Sequence, residues 1–284
     1  MSETADPLVT PAWLAERLGA PDIRIVDATW FLPGDGRDPR AEHAEKRIPG
    51  AVFFDIDEIA DTASPLPHML PAPEKFASRV RKLGIGDGAR VVVYDAHGLF
   101  SAARVWWTFR VMGHADVVVL DGGLPAWEAA GLPLEDGPPQ PRAERHFTAR
   151  YRADLVRDLA DMRKTVETGR ALVLDARPAA RFAGDAPEPR PGLKSGHMPG
   201  AHNIPASALV RDGVMKSRAE LEALFADAGV TAKTRVVCTC GSGITAAVIA
   251  LALARIGRWD APVYDGSWAE WGALDDTPIV TGPA

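Results

Sequence analysis

Two cysteines occur in the 284 residues, and they stand two positions apart in Cys238-Thr239-Cys240-Gly241-Ser242-Gly243-Ile244-Thr245. The run Arg235 through Val237 is extended and β-branched, and Thr245 through Arg255 has helical composition, so Cys240 is expected at the turn between strand and helix. Gly241 and Gly243 let that turn curl until the amides from Gly241 to Thr245 face inward, and the helix N-terminus adds partial positive charge. Both features favour an anion over a neutral group. A free thiol ionises at about 8.5, and a helix N-terminus lowers that value by units, so the spacing predicts a cysteine that is substantially thiolate near neutrality. The alternative is a packed core thiol, which has no need of glycines on its C-terminal side. Cys238 lies on the same side of the strand but deeper, and buried packing is its expected role.

Other side chains could serve such a thiolate. Arg181 and Arg190 flank an irregular segment, Ala183 to Gly196, that carries Pro187, Pro189 and Pro191 and is read as too polar for core and as overlying a site. A guanidinium fork suits a carboxylate or another small oxyanion, although either arginine taken alone reads first as a solvated loop residue. Asp57, Asp61 and His68 lie in the first half. His68 is a possible acid or base in a Pro-rich loop, where a structural histidine is the competing reading. His197 and His202 border a Pro-Gly-Ala turn and are taken as structural. No metal site and no cofactor are implied, because Cys-x-Cys without further ligands at proper spacing is incomplete. Trp106, Trp107, Trp268 and Trp271 are assigned to core packing rather than to ligand stacking.

The elements that must position these residues follow from a duplication. Val26-Asp27-Ala28 matches Leu174-Asp175-Ala176, Ile48-Pro49-Gly50-Ala51 matches Met198-Pro199-Gly200-Ala201, and Asp121-Gly122-Gly123 with Trp127 matches Asp265-Gly266-Ser267 with Trp271. Between these, Val91 to Asp95 lies over Val236 to Cys240, which sets Asp95 opposite Cys240. Each half alternates β-branched runs with amphipathic stretches. In the second half these read as helix Leu155 to Thr168, strand Ala171 to Asp175, helix Arg218 to Ala228, strand Arg235 to Thr239 and a helix from Thr245. The pattern predicts an α/β fold of tandem duplicated domains, each a mostly parallel sheet flanked by helices, with ligands beyond the carboxyl ends of the strands. The expected boundaries are 1–131 for a domain lacking the cysteine, 132–152 for a linker containing Gly137-Pro138-Pro139-Gln140-Pro141, and 153–284 for the cysteine-bearing domain.

Composition narrows the partners. A net charge of -6 without a dense Lys/Arg run argues against nucleic acid. Two cysteines too close for an ordinary bridge suit a reducing compartment. Residues Met1 to Asp6 are acidic and lack an apolar core, and the longest apolar stretch, Ile244 to Ala254, is too short to span a bilayer. A cytoplasmic protein that binds neither membrane nor nucleic acid is expected.

Together these residues resemble the two-domain rhodanese-type sulfurtransferases, over nearly the whole chain, and within them the kind that uses 3-mercaptopyruvate. The resemblance rests on Cys240-Gly241-Ser242-Gly243-Ile244-Thr245 as active-site loop, on Tyr264-Asp265-Gly266-Ser267-Trp268, and on Ser195-Gly196-His197-Met198-Pro199-Gly200-Ala201. The first half is similar to the family's inactive domain through Ile48-Pro49-Gly50-Ala51 and Ser101-Ala102-Ala103-Arg104-Val105-Trp106-Trp107, and Asp95 cannot carry a sulfane sulfur. The resemblance implies that Cys240 takes sulfur from a small-molecule donor as a persulfide and passes it to a thiol, thioredoxin or cyanide. It implies that Arg181 and Arg190 hold the substrate, with the loop residues Gly241, Gly243, Ile244 and Thr245, and that Ser242, His68 and Asp57 form a proton relay. Arg47 stands where the family often has histidine. Family members that prefer the dianion thiosulfate carry cations directly after the cysteine, whereas Gly241 and Ser242 are neutral, so a carboxylated thiol donor is expected to release pyruvate. A thiosulfate sulfurtransferase remains the nearest alternative. A cysteine phosphatase or arsenate reductase would need arginine six residues after the cysteine, where Ala246 stands, and a non-catalytic sulfur carrier or binding module is the reading of another class.

Overall fold

In the computed structural model the described residues are 6–283. Residues 1–5, which hold most of the acidic start of the chain, lie outside them. The β-branched runs form two five-stranded sheets, one in each half, and every pairing within them is parallel. In the first half the order across the sheet is Leu8–Val9, Val117–Leu120, Arg90–Tyr94, Ile23–Asp27 and Val52–Phe53. In the second it is Val156–Arg157, Val263–Tyr264, Val236–Thr239, Leu172–Asp175 and Ala201–Asn203. The same order in both halves is what the repeat predicts.

Chain contacts divide the protein into two units. The first comprises the chain up to Thr62, Leu70–Arg152 and Asp212–Met215, and the second comprises Ala63–Met69, Ala153–Arg211 and the chain from Lys216 onward. Each has its own core. In the first, Leu14, Ile25, Ile48, Val92, Leu120 and Trp127 pack together, and in the second Met162, Val173, Met198, Val237, Tyr264 and Trp271 do so. The matched tryptophans are both fully buried, and their indole N–H groups donate to matched carbonyls, Trp127 to Pro133 at 2.8 Å and Trp271 to Pro278 at 3.0 Å. A buried indole needs such a partner, and the two halves supply it identically.

Two expectations for local structure are corrected. The helix read from Leu155 begins at Leu159, because Asp158 accepts from the Asp161 N–H as N-cap, while Val156–Arg157 pairs as an edge strand with Val263–Tyr264. The helix ends at Thr168, where Gly169 adopts φ +61. The segment Ala183 to Gly196, read as too polar for core, carries a Glu188 side chain only 1% exposed. Arginine partners on both carboxylate oxygens make that burial tolerable. The chain order in the second sheet runs outward from Leu172–Asp175 to Ala201–Asn203, then crosses to Val236–Thr239 and outward again to Val263–Tyr264. The reversal therefore falls between the strand ends at Asp175 and Thr239, where open parallel sheets form their ligand crevices.

Candidate active site

Cys240 follows the central strand Val236–Thr239 directly and stands at the carboxyl edge of the sheet. Six positions later Ala246 opens the ten-residue helix Ala246–Arg255, so the cysteine and its loop occupy a strand-to-helix turn as expected. The residue is recessed, at 2% exposure. Among the described residues it is the Gly243 N–H that reaches the sulfur, donating to Cys240 Sγ at 3.1 Å, which narrows the expectation of inward amides from Gly241 to Thr245. Gly243 has φ +80, a conformation glycine adopts without steric cost. Ser242 and Ile244 are buried, and Gly241 and Thr245 are the partly exposed members of the loop, so a ligand meets the turn from their side.

The duplicate turn in the first unit behaves as an internal control. Asp95 follows the strand Arg90–Tyr94, and its carboxylate accepts from the amides of His97 at 2.9 Å, Phe100 at 2.8 Å and Ala102 at 2.8 Å, at the start of the helix Ala102–Val111. The fold thus offers an anion-holding nest at this turn in the half that lacks the thiol. In the second unit the same place is given to sulfur, in a loop one residue shorter: the helix starts six positions after Cys240 and seven after Asp95.

The backbone of the cysteine is fixed from behind. Its N–H donates to Ser267 Oγ at 3.3 Å, Ser267 Oγ donates to the Tyr264 carbonyl at 2.8 Å, and the Trp268 and Ala269 amides donate to the Cys240 and Gly241 carbonyls at 2.9 and 2.8 Å. Ser267 has φ +49 where the matching residue in the first half is Gly123 at φ +53. A side chain in this left-handed region costs roughly 1–2 kcal/mol, and the two hydroxyl hydrogen bonds offset it. The motif Tyr264 to Trp268 is legible in sequence, but no role for Ser267 was inferred. The available signal was that the cysteine-bearing half puts a hydroxyl where its duplicate has glycine.

Arg181 lies on the short helix Ala179–Ala183 and reaches the loop: its Nη2 lies 3.0 Å from where a Cβ on Gly241 would be. Gly241 therefore makes room for a guanidinium as well as for the turn. Arg181 Nη2 pairs with Glu188 Oε2, while its buried Nε has no hydrogen-bond partner. Glu188 Oε1 in turn accepts from Arg177 Nη1 at 2.8 Å, and Arg177 donates through Nη2 and Nε to Asp175 Oδ2 at 2.7 and 2.9 Å. Burial opposes the charge of Arg177, but Asp175 and Glu188 hold its ionisation above the ordinary arginine value. Its guanidinium lies 4.1 Å from the centre of the Trp268 ring. The chain Asp175, Arg177, Glu188, Arg181 alternates in sign and ends at the cysteine loop. Sequence reasoning found only its last member.

Arg190 approaches His68 instead, with Nη2 3.4 Å from His68 Nε2. His68 is 8% exposed with φ +60, and it belongs to the second unit although it lies early in the sequence. Asp57 belongs to the first unit, where its Oδ2 accepts from Trp30 Nε1 at 2.9 Å. The second unit thus brings Arg181 to Cys240, Gly241 and Gly243, and Arg190 to His68. Arg47, opposite His197 in the repeat, is 1% exposed and donates to Glu135 Oε1 at 2.6 Å and Gly137 O at 2.7 Å, a structural clamp. His197 is also buried, its Nδ1 donating to Phe182 O at 2.9 Å. Cys238 pairs in register with Val263 and Leu174, is fully buried, and burial pushes its thiol well above the usual range.

The site combines a recessed sulfur, an amide donor on that sulfur, and a guanidinium with an unused donor beside the same loop. Such a set suits a small anionic molecule that offers an electrophilic atom to the sulfur. A rhodanese-like domain matches residues 10–130 and again 158–274. The chain is 45% identical to the 3-mercaptopyruvate sulfurtransferase of Escherichia coli (strain K12) over 268 residues, covering 94% of this chain and 95% of that protein. It is also 45% identical to the Homo sapiens 3-mercaptopyruvate sulfurtransferase over 271 residues, covering 93% and 91%. In three dimensions it resembles SseA, a 3-mercaptopyruvate sulfotransferase from Escherichia coli, with TM-score 0.86 and 42% identity over 94% of this chain and all of that one. Tum1 from Saccharomyces cerevisiae aligns with TM-score 0.88 at 31% identity over 98% of both chains. No helix among the described residues is long and apolar enough to cross a membrane. The chain belongs to the rhodanese-like family, carries that domain twice, and is a sulfurtransferase.

Proposed function

We propose that this enzyme moves sulfur from 3-mercaptopyruvate through a persulfide on Cys240 to a thiol acceptor, such as thioredoxin or a small thiol, or to cyanide. The observation that carries the reading is the pairing, on one loop, of a sulfur held by the Gly243 amide and a guanidinium, Arg181, packed on Gly241 with its Nε unoccupied. In the proposed reaction the Cys240 thiolate attacks the donor sulfur, an S–S bond forms, and the donor carbon–sulfur bond breaks. The electron pair of that bond leaves as the enolate of pyruvate. The proton lost from the donor thiol ends on the enolate carbon, which yields pyruvate without any external oxidant or reductant. Arg181 and Arg190 would bind the donor carboxylate and carbonyl, and the loop residues Gly241, Gly243, Ile244 and Thr245 would line its approach. Ser242, His68 and Asp57 are assigned to moving the proton.

The cysteine-bearing domain is assigned to residues 153–284, with 1–131 as the copy lacking the cysteine and 132–152 as the linker. The two free cysteines suit a cytoplasmic setting, where thiol acceptors are abundant. Two plant relatives, from Arabidopsis thaliana and 40% and 39% identical, bear names that join thiosulfate with 3-mercaptopyruvate, so thiosulfate is the donor to compare. Steady-state kinetics with both donors tests the assignment. The larger kcat/KM is expected for 3-mercaptopyruvate, and a larger value for thiosulfate overturns the donor choice.

A further inference from the structure

The duplication gives each half the same groove at the N-terminal ends of its strands, on the sheet edge opposite the Cys240 loop. Its walls share backbone features. Gly50 and Gly200 both have φ +74, Gly84 and Gly229 have φ +71 and +81, and the adjoining turns close with matched bonds, Ile85 N–H to Val80 O at 3.0 Å and Val230 N–H to Phe225 O at 2.9 Å. What fills the two grooves differs. In the first half the extended stretch around Arg142 to Thr148 lies along it: Arg142 Nη2 donates to Gly50 O at 2.7 Å, the Asp87 N–H donates to His146 O at 2.8 Å, and the Thr148 N–H donates to Asp87 Oδ1 at 3.0 Å. A Cβ added at Gly50 or Gly84 would meet Arg142 atoms at 2.8 Å. In the second half a Cβ at Gly200 or Gly229 would meet nothing within 4 Å. The cleft there holds about 640 Å³, against about 330 Å³ in the first half.

The charge on the walls differs as well. The basic stretch with Arg142, Arg145 and His146 lies against a groove that carries Asp22 and Asp87 beside Arg24. At the positions of Asp22 and Asp87 the second half has Arg170 and Ala232, with Lys233 next in line. Arg90 pairs with Asp116 at 2.7 Å, but among the described residues the side chains of Arg170, Lys233 and its counterpart Arg235 have no hydrogen-bond or ion-pair partner. Three uncompensated cations thus line one cleft of a chain whose net charge is -6.

We propose that the second half's groove docks an extended acidic segment of a partner protein, in the manner that the first half's groove holds its own basic stretch. Polypeptide is favoured over nucleic acid because the duplicate groove is filled by backbone-to-backbone bonding, and because the net negative charge of the chain repels a phosphate backbone. The test uses a fluorescein-labelled peptide of alternating glutamate and alanine, about ten residues long to span the sheet edge, read by fluorescence anisotropy with the whole protein. Binding is expected, with an alternating lysine and alanine peptide binding at least about tenfold more weakly. The triple variant R170E/K233E/R235E and the neutral variant T165W, which fills the cleft without altering its charge, are each expected to weaken binding about tenfold while sulfurtransferase turnover and circular dichroism stay unchanged. The proposal is overturned if the wild type does not bind the acidic peptide, or if the lysine peptide or oligothymidylate binds as tightly. It is overturned equally if inorganic phosphate at millimolar concentration displaces the peptide, which would mark a small-anion site, or if T165W binds like wild type, which would leave only unspecific attraction.

Discussion

Cys238 and Cys240 are two positions apart and chemically unlike. Cys238 sits inside the sheet between Leu174 and Val263, where burial disfavours its thiolate, while Cys240 has left the strand and meets an amide. Replacing Cys240 with serine should abolish sulfur transfer, and Cys238→Ser should retain most of it; comparable losses in both, measured as initial rates, would contradict the division of roles. The difference is legible in sequence, because glycines follow one cysteine and β-branched residues surround the other. Glu188 was not legible. A glutamate between prolines reads as solvent-exposed, and only the folded chain shows its two oxygens bridging Arg177 and Arg181. Because Glu188 orients the Arg181 guanidinium, Glu188→Gln should raise KM for a carboxylated donor about tenfold, equivalent to about 1.4 kcal/mol, with kcat changed much less. An equal fall in kcat with KM unchanged would place its effect on the chemical step instead.

The turn between the central strand and its helix is the element to which we assign the chemistry, and the protein contains it twice. In the first copy Asp95 is fully buried and its carboxylate takes three backbone amides. Asp95→Cys should therefore lower stability by about 3 kcal/mol or more, read by urea unfolding, since hydrogen bonds to a buried charge contribute about 1.5–3 kcal/mol each. It should gain no sulfur transfer when introduced into the Cys240→Ser variant, because no guanidinium network like that of Arg177 and Arg181 ends at this turn among the bonds described for it. Recovery of activity would mean that the turn alone suffices. Strand and helix content predicted this element within a residue at each end: Val236–Thr239 against an expected start at Arg235, and Ala246–Arg255 against Thr245. The start of the helix Leu159–Thr168 was missed, since Val156 and Arg157 alternate like a helix flank but are recruited as an edge strand by Val263 and Tyr264. Edge pairing of two residues leaves no periodic trace.

At the scale of the whole chain, duplication made the architecture readable: matched Asp, Gly and Trp positions foretold two sheets with the same strand order. The same duplication separates what serves the fold from what serves the reaction. Trp127 and Trp271, buried alike, belong to the fold. Cys240, Ser267 and Arg177 stand where the first half has Asp95, Gly123 and Thr29, and these departures collect around one turn. What no sequence pattern conveys is that His68 joins the second unit, because that placement is made by tertiary contact and not by local composition. The central claim is that sulfur passes through one atom, Cys240 Sγ. Its most direct test is mass spectrometry of the enzyme incubated with 3-mercaptopyruvate and no acceptor, with pyruvate measured in the same sample. One added sulfur on the peptide containing Cys240, one equivalent of pyruvate, and loss of that sulfur on adding thioredoxin are the predicted results; pyruvate release with Cys240 unmodified, or sulfur retained in the Cys240→Ser variant, would contradict it.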